Sequence, residues 1–165
     1  MHHLTRIITL CAIAFAVATP ARAATVCKRV EGEGLWTLIP SSDPLGRLMG
    51  PATGKLKGTA TSVLTSLAPN PDGSLTATHA DVWVTGAQSL LQFTGTTVYT
   101  PVAAAPIGTV TVTTTLTVVG GAGPYAGATG TIEIVGIGIN LFGPAAGPGS
   151  TYLDVDYAGT ICRTI

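Results

Sequence analysis

Few side chains in this sequence can move a proton, so each one is informative. Along Leu75–Trp83 the odd positions are Leu75, Ala77, His79, Asp81 and Trp83. Alternate residues of a β-strand share a face, which puts His79 and Asp81 side by side. An imidazole next to a carboxylate can act as an oriented acid/base pair if that face lines an interior. The plainer reading turns the pair out to solvent, with Val82 and Val84 pointing in. It is preferred, because solvated His and Asp outnumber catalytic pairs. Glu133 stands alone among Ile132, Ile134 and Val135. Enclosed in apolar surroundings, its carboxyl would be held protonated and could donate a proton or anchor a ligand. Unpaired buried carboxylates are rare, so the preferred reading again points it outward, with Ile132 and Ile134 inside. Tyr152, Asp154 and Asp156 share one face of the last apolar segment and Leu153, Val155 and Tyr157 the other, a polar-out, apolar-in pattern without the spacing of a calcium loop.

The familiar constellations are absent. There is no nucleophile elbow, zinc motif or phosphate loop, so neither a metal nor a cofactor is expected. Met1–Arg6 is a short segment with one arginine, Ile7–Ala18 is nearly all apolar, and Ala21-Arg22-Ala23 fits an A-x-A cleavage site. Residues 1–23 thus read as a secretory leader. A retained membrane anchor is the alternative, but the run is short for crossing a bilayer. His2, His3 and Cys11 would leave with the leader, so they belong to no site. The mature chain expected over residues 24–165 suits one domain with its own core, in the periplasm or outside the cell.

That chain carries six basic and eight acidic side chains, a formal charge of −2. No basic patch grips a phosphate backbone and no basic amphipathic helix favours a membrane surface, so neither nucleic acid nor membrane insertion is expected. Self-association into a homo-oligomer stays open. Two cysteines remain, Cys27 near the beginning and Cys162 near the end. An exported chain with two cysteines most simply pairs them, which needs the terminal strands side by side, with Cα atoms within about 7 Å. A redox or metal-binding thiol pair is the alternative, opposed by the lack of C-x-x-C and by the single remaining histidine.

The elements that must position these groups are strands. Val26–Glu31 and Leu35–Leu38 read as a short pair around Gly32 and Gly34, and Pro40–Pro51 as a loop. Lys55–Leu67 reads as a strand, followed by the turn Pro69–Gly73. Ser74–Val84 and Ser89–Thr100 form the next pair, joined near Gly86. Pro101–Gly108 is a loop, Gly136–Ser150 is too rich in glycine and proline to be a regular strand throughout, and Thr151–Cys162 closes the sheet. Within Val110–Val135, Val110, Val112, Thr114, Leu116 and Val118 alternate with threonines, the mark of a half-buried antiparallel strand. Gly120, Gly121, Gly123, Gly127 and Gly130 then permit a compact reversal. Seven to nine strands and no helical period make an all-β barrel or sandwich.

The reversal, G-G-A-G-P-Y-A-G-A-T-G, resembles a segment of the allene oxide cyclase and dirigent proteins, with Gly120, Gly121, Gly123, Tyr125, Gly127, Ala128 and Gly130 on matching positions. Related secreted bacterial barrels also carry an early D-P-L-G-R, here Asp43–Arg47, and a cysteine in the terminal strand. The resemblance implies one closed antiparallel barrel of about eight strands, of the calycin type. In the plant cyclases a first-strand glutamate assists the reaction. Glu31 and Glu33 lie in a comparable region, but the surrounding motif does not match and that role is not carried over; the dirigent cluster of charged pocket residues is not recognisable either. The same glycines formally fit a dinucleotide fingerprint, but that motif needs a helix where Pro124 and a strand follow here.

A barrel of this size holds one small ligand or fills with side chains. Many strand positions are Thr, Ala or Gly and aromatics are few, which leaves space inside. The leading expectation is a binder of a small hydrophobic molecule, with Trp83, Tyr99, Tyr125 and Phe142 as candidate contacts. A cyclase or isomerase using Glu133 or the His79–Asp81 pair is the alternative, and a solid structural barrel is the third reading.

Overall fold

The structure, a computed structural model, describes residues 24–142 and 146–164; the leader expected over residues 1–23 lies outside them. Eight strands close into one antiparallel barrel in chain order. They are β1 (Thr25–Ile39), β2 (Arg47–Ala52), β3 (Gly58–Pro69), β4 (Leu75–Gly86), β5 (Ser89–Pro101), β6 (Val110–Ala122), β7 (Thr129–Ile139) and β8 (Tyr152–Thr164). The seam pairs β1 with β8 continuously from Thr25↔Thr164 to Thr37↔Tyr152. It aligns Cys27 with Cys162, and the two are joined by a disulfide. Closure leaves no unpaired sheet edge.

Two sequence expectations are corrected. The opening pair is one continuous strand, because Gly32 and Gly34 are paired in the seam opposite Tyr157 and Val155. The segment read as a loop over Pro40–Pro51 ends in β2. Pro51 is tolerated there because the β1–β2 ladder is interrupted between Gly34↔Ala52 and Thr37↔Met49, so its missing N–H breaks no bond on that side.

The alternation on β6 is as expected: Val110, Val112, Thr114, Leu116 and Val118 are all buried. One end of the barrel, where β6 runs into β7, is packed solid. Trp83 lies at its centre, with ring centroids 5.8 Å from Trp36, 5.5 Å from Phe93 and 5.1 Å from Tyr157. Tilted and edge contacts of this kind add about 0.5–1.5 kcal/mol each beyond burial. The Tyr157 hydroxyl accepts from Leu56 N–H at 3.0 Å and donates to the Thr53 carbonyl, tying the short turn at Gly54–Leu56 across this end.

The glycine-rich reversal shows why its glycines differ. Gly123 has φ +62° and Gly127 φ +68°. A Cβ on Gly123 would also lie 2.0 Å from the Gln88 carbonyl oxygen, whereas one on Gly127 would meet nothing within 4 Å. Gly127→Val therefore carries only the left-handed backbone strain, about 1 kcal/mol or more. Gly123→Val adds a backbone clash and is expected to lose more, on the order of 3 kcal/mol. Urea denaturation of both variants checks the order; equal losses would mean that the Gln88 approach is not tight.

Candidate functional site

The preferred outward placement of His79 and Asp81 is corrected by burial. Both point into the barrel, 7% and 4% exposed, while Val82 and Val84 face solvent. Trp83 decides the phase: it shares a face with the pair, and burying an indole outweighs burying two valines. Neighbouring strands supply the partners. β5 places Gly95 opposite His79 and Thr97 opposite Ala77, and β6 places Thr114 opposite Thr97. Gly95 makes room for the imidazole, since a Cβ there would lie 2.3 Å from His79 Cε1.

The result is a hydrogen-bonded chain through the lumen. His79 Nδ1 lies 2.9 Å from Asp81 Oδ2, His79 Nε2 2.8 Å from Thr97 Oγ1, and Thr97 Oγ1 2.6 Å from Thr114 Oγ1. A carboxylate only accepts, so Nδ1–H donates to Asp81. In the neutral imidazole Nε2 then accepts from the Thr97 hydroxyl, and Thr97 in turn accepts from Thr114. Carboxylate, imidazole and hydroxyl in this order resemble a nucleophile activated by an oriented base. The cavity beside them is only about 20 Å³, room for one oxygen atom with its protons. A tetrahedral acyl intermediate does not fit there, so the arrangement suits holding a proton or a single polar group.

Above this chain the barrel opens. A cavity of about 530 Å³ lies between the barrel rim and the β1–β2 loop, walled mainly by Leu38, Leu45, Leu48, Leu64, Tyr99 and Phe142. Tyr99 and Phe142 meet edge to face, 5.1 Å between centroids. Leu48 and Tyr99 also border the small polar cavity, and so form the floor between the two spaces. The early D-P-L-G-R motif has a structural use here. Asp43 takes Arg47 Nε at 3.0 Å and Arg47 Nη2 at 2.9 Å, closing the loop that walls the mouth. A hydrogen bond from Ser41, and then the Arg47 charge, hold the Asp43 carboxyl below its usual range.

The other candidates lie elsewhere. Glu133 is exposed on the outer surface near Arg29 and Thr131, with Ile132 and Ile134 buried inside, as its preferred reading held. Of the candidate aromatics, Tyr99 and Phe142 line the mouth and Trp83 borders the small polar cavity, whereas Tyr125 sits at the closed end near Lys55 and Arg163. Thr97, Thr114 and Trp36 were not singled out by sequence reasoning. A threonine at an inward position of an otherwise apolar strand, and a glycine inside β5 facing a histidine, are the signals that could have found them. Among the described residues no group of three or more His, Cys, Asp or Glu side chains could hold a metal ion, and no helix is long and apolar enough to cross a membrane.

No protein family, curated protein or solved structure matches this chain.

Tyr99 gives that site a pH signature. Burial, offset in part by the Thr97 hydroxyl and reinforced by the Asp81 charge, pushes its phenol from 10 up to about 12. The folded value is raised, so the stabilisation is fully present below pH 10 and is lost as pH rises through about 12. Burial raises Tyr157 as well, with the same sign. Over that window the protein is expected to lose roughly 3 kcal/mol through Tyr99, and Tyr99→Phe should remove that part of the loss. Identical alkaline stability profiles for the two proteins would show that the phenol is not buried.

Proposed function

We propose that this is an exported binding protein that takes a small, mostly apolar molecule into the open end of its barrel. The observation that carries the reading is the mouth cavity. At about 530 Å³ it falls within the range of sites that enclose a small ligand, and its walls are mostly leucines, prolines and the Tyr99–Phe142 pair, with Ser41, Asp43 and Thr151 as the polar exceptions. Leu48 and Tyr99 form its floor. The resemblance of the glycine-rich reversal to the allene oxide cyclases and dirigent proteins supports the same view of a calycin-type barrel. A fluorescent apolar probe is expected to bind saturably at micromolar strength or better, about −8 kcal/mol, and Phe142→Ala to weaken it about tenfold. No saturable binding across a broad set of apolar probes sinks the reading.

A second reading, catalysis of a cyclase or isomerase type, is favoured by the inward His79–Asp81 pair beneath that mouth. An oriented base next to a bound apolar substrate needs little beyond position to be effective. Turnover of an epoxide or phenolic substrate, abolished in His79→Gln with the fold intact, would establish it in place of simple binding.

A further inference from the structure

Among the described residues, two buried side-chain polar atoms have no hydrogen-bond partner: Asp81 Oδ1 and Trp36 Nε1. Their residues are 4% and 8% exposed, and both border the same cavity of about 20 Å³. A buried polar atom without a partner costs about 1–3 kcal/mol, so each of the two gains from a polar group brought to it. The indole N–H can only donate, and the carboxylate oxygen can only accept. The group that satisfies both must accept one hydrogen bond and donate another, and it must fit the volume of one oxygen atom.

A hydroxyl does this. A carbonyl cannot donate to Asp81, an ammonium cannot accept from Trp36, and a ligand carboxylate would meet the Asp81 charge in a low-dielectric interior. Leu48 and Tyr99 border both spaces, so a group that enters the small cavity from the mouth must part these two side chains. Resting on the binding function proposed above, we propose that the ligand is a neutral apolar alcohol or phenol. Its apolar body fills the mouth, and its hydroxyl passes between Leu48 and Tyr99, accepts from Trp36 Nε1 and donates to Asp81 Oδ1. The His79–Thr97–Thr114 chain holds Asp81 Oδ2 and leaves Oδ1 free for the ligand.

The test compares probes of one skeleton, naphthalene, 2-naphthol and 2-naphthoate, titrated into the mature protein at neutral pH. 2-Naphthol is expected to bind at least tenfold tighter than either of the others, because a site built for a hydroxyl rejects analogues that lack it. Trp36→Phe and Asp81→Asn are each expected to shrink that ratio toward one, whatever they do to absolute affinity. The wild-type chain gives a readout independent of any variant's folding. It has two tryptophans, and one indole N–H resonance should move downfield with 2-naphthol and stay in place with naphthalene. Equal binding of naphthol and naphthalene, a preference for naphthoate, or a preference unchanged in a folded Trp36→Phe overturns the hydroxyl assignment and leaves the apolar mouth site standing. So does an unmoved indole resonance at saturating naphthol, which would leave a water molecule as the occupant of the small cavity. Failure of all three probes to bind removes the mouth site and the hydroxyl assignment together.

Discussion

Replacing Cys27 and Cys162 together by serine is expected to lower the stability of the barrel by about 4–5 kcal/mol. The bond joins residues 135 apart in sequence, so it closes a loop that holds nearly all of the barrel, and chain-entropy arguments give the largest stabilisation to the longest loops. Cys27 is exposed and Cys162 half-buried on the outer face of the seam, so the serine pair loses little packing. The folded barrel holds its seam by backbone bonds from Thr25↔Thr164 to Thr37↔Tyr152, and these survive the substitution. Most of the loss therefore lies in the unfolded chain, which expands once the link is gone. Two results should appear together in urea: a lower midpoint, and a steeper dependence on denaturant, because the unlinked chain exposes more surface. A loss under about 1 kcal/mol with an unchanged slope would mean that the unfolded chain stays compact without the bond.

The barrel was legible in the sequence where one face of a strand is plainly apolar. β6 is the clearest case, since valines and a leucine alternate with threonines and only one phase can be buried. The terminal cysteines fixed which strands meet at the seam. The phase of β4 was less legible, because both faces carry small or mixed residues and the valines at 82 and 84 point the wrong way by hydropathy. Trp83 settles it only when the strand is set against Leu91 and Ala60, which flank it across the sheet; register of this kind is a property of the closed barrel, not of one strand. The same limit hid the polar chain. His79, Thr97 and Thr114 come from three strands, and nothing within any one of them says that they meet. The division of the barrel into a packed end and an open mouth was likewise not readable, because it depends on which inward residues share a layer. Trp83, Phe93 and Tyr157 crowd one level, while Gly95, Thr97 and Thr114 leave the next one sparse.

His79→Ala is expected to cost roughly 3–5 kcal/mol, because removing the partner of a buried carboxylate leaves its charge uncompensated. The substitution strips Asp81 Oδ2 of its hydrogen bond while Oδ1 already lacks one, so a buried carboxylate is left with no partner. It also removes the acceptor of the Thr97 hydroxyl and opens a void over Gly95. Replacing both His79 and Asp81 by leucine should behave differently. No charge then remains to be solvated, and the neighbouring Trp83, Leu48 and Val112 already make the surroundings apolar. Apolar replacements of buried ion pairs are often neutral or stabilising, so the double variant is expected to be more stable than His79→Ala and to approach the parent protein. Thermal unfolding of the three proteins side by side decides the matter. Recovery in the double variant would mean that the pair contributes little to the fold and is retained for what it binds; the same variant should then lose its preference for a hydroxyl-bearing probe. A double variant less stable than His79→Ala would instead make the chain from Asp81 to Thr114 a structural brace of the barrel. A loss under about 1 kcal/mol in His79→Ala would show that water reaches Asp81 freely, and that the lumen at this level is wet.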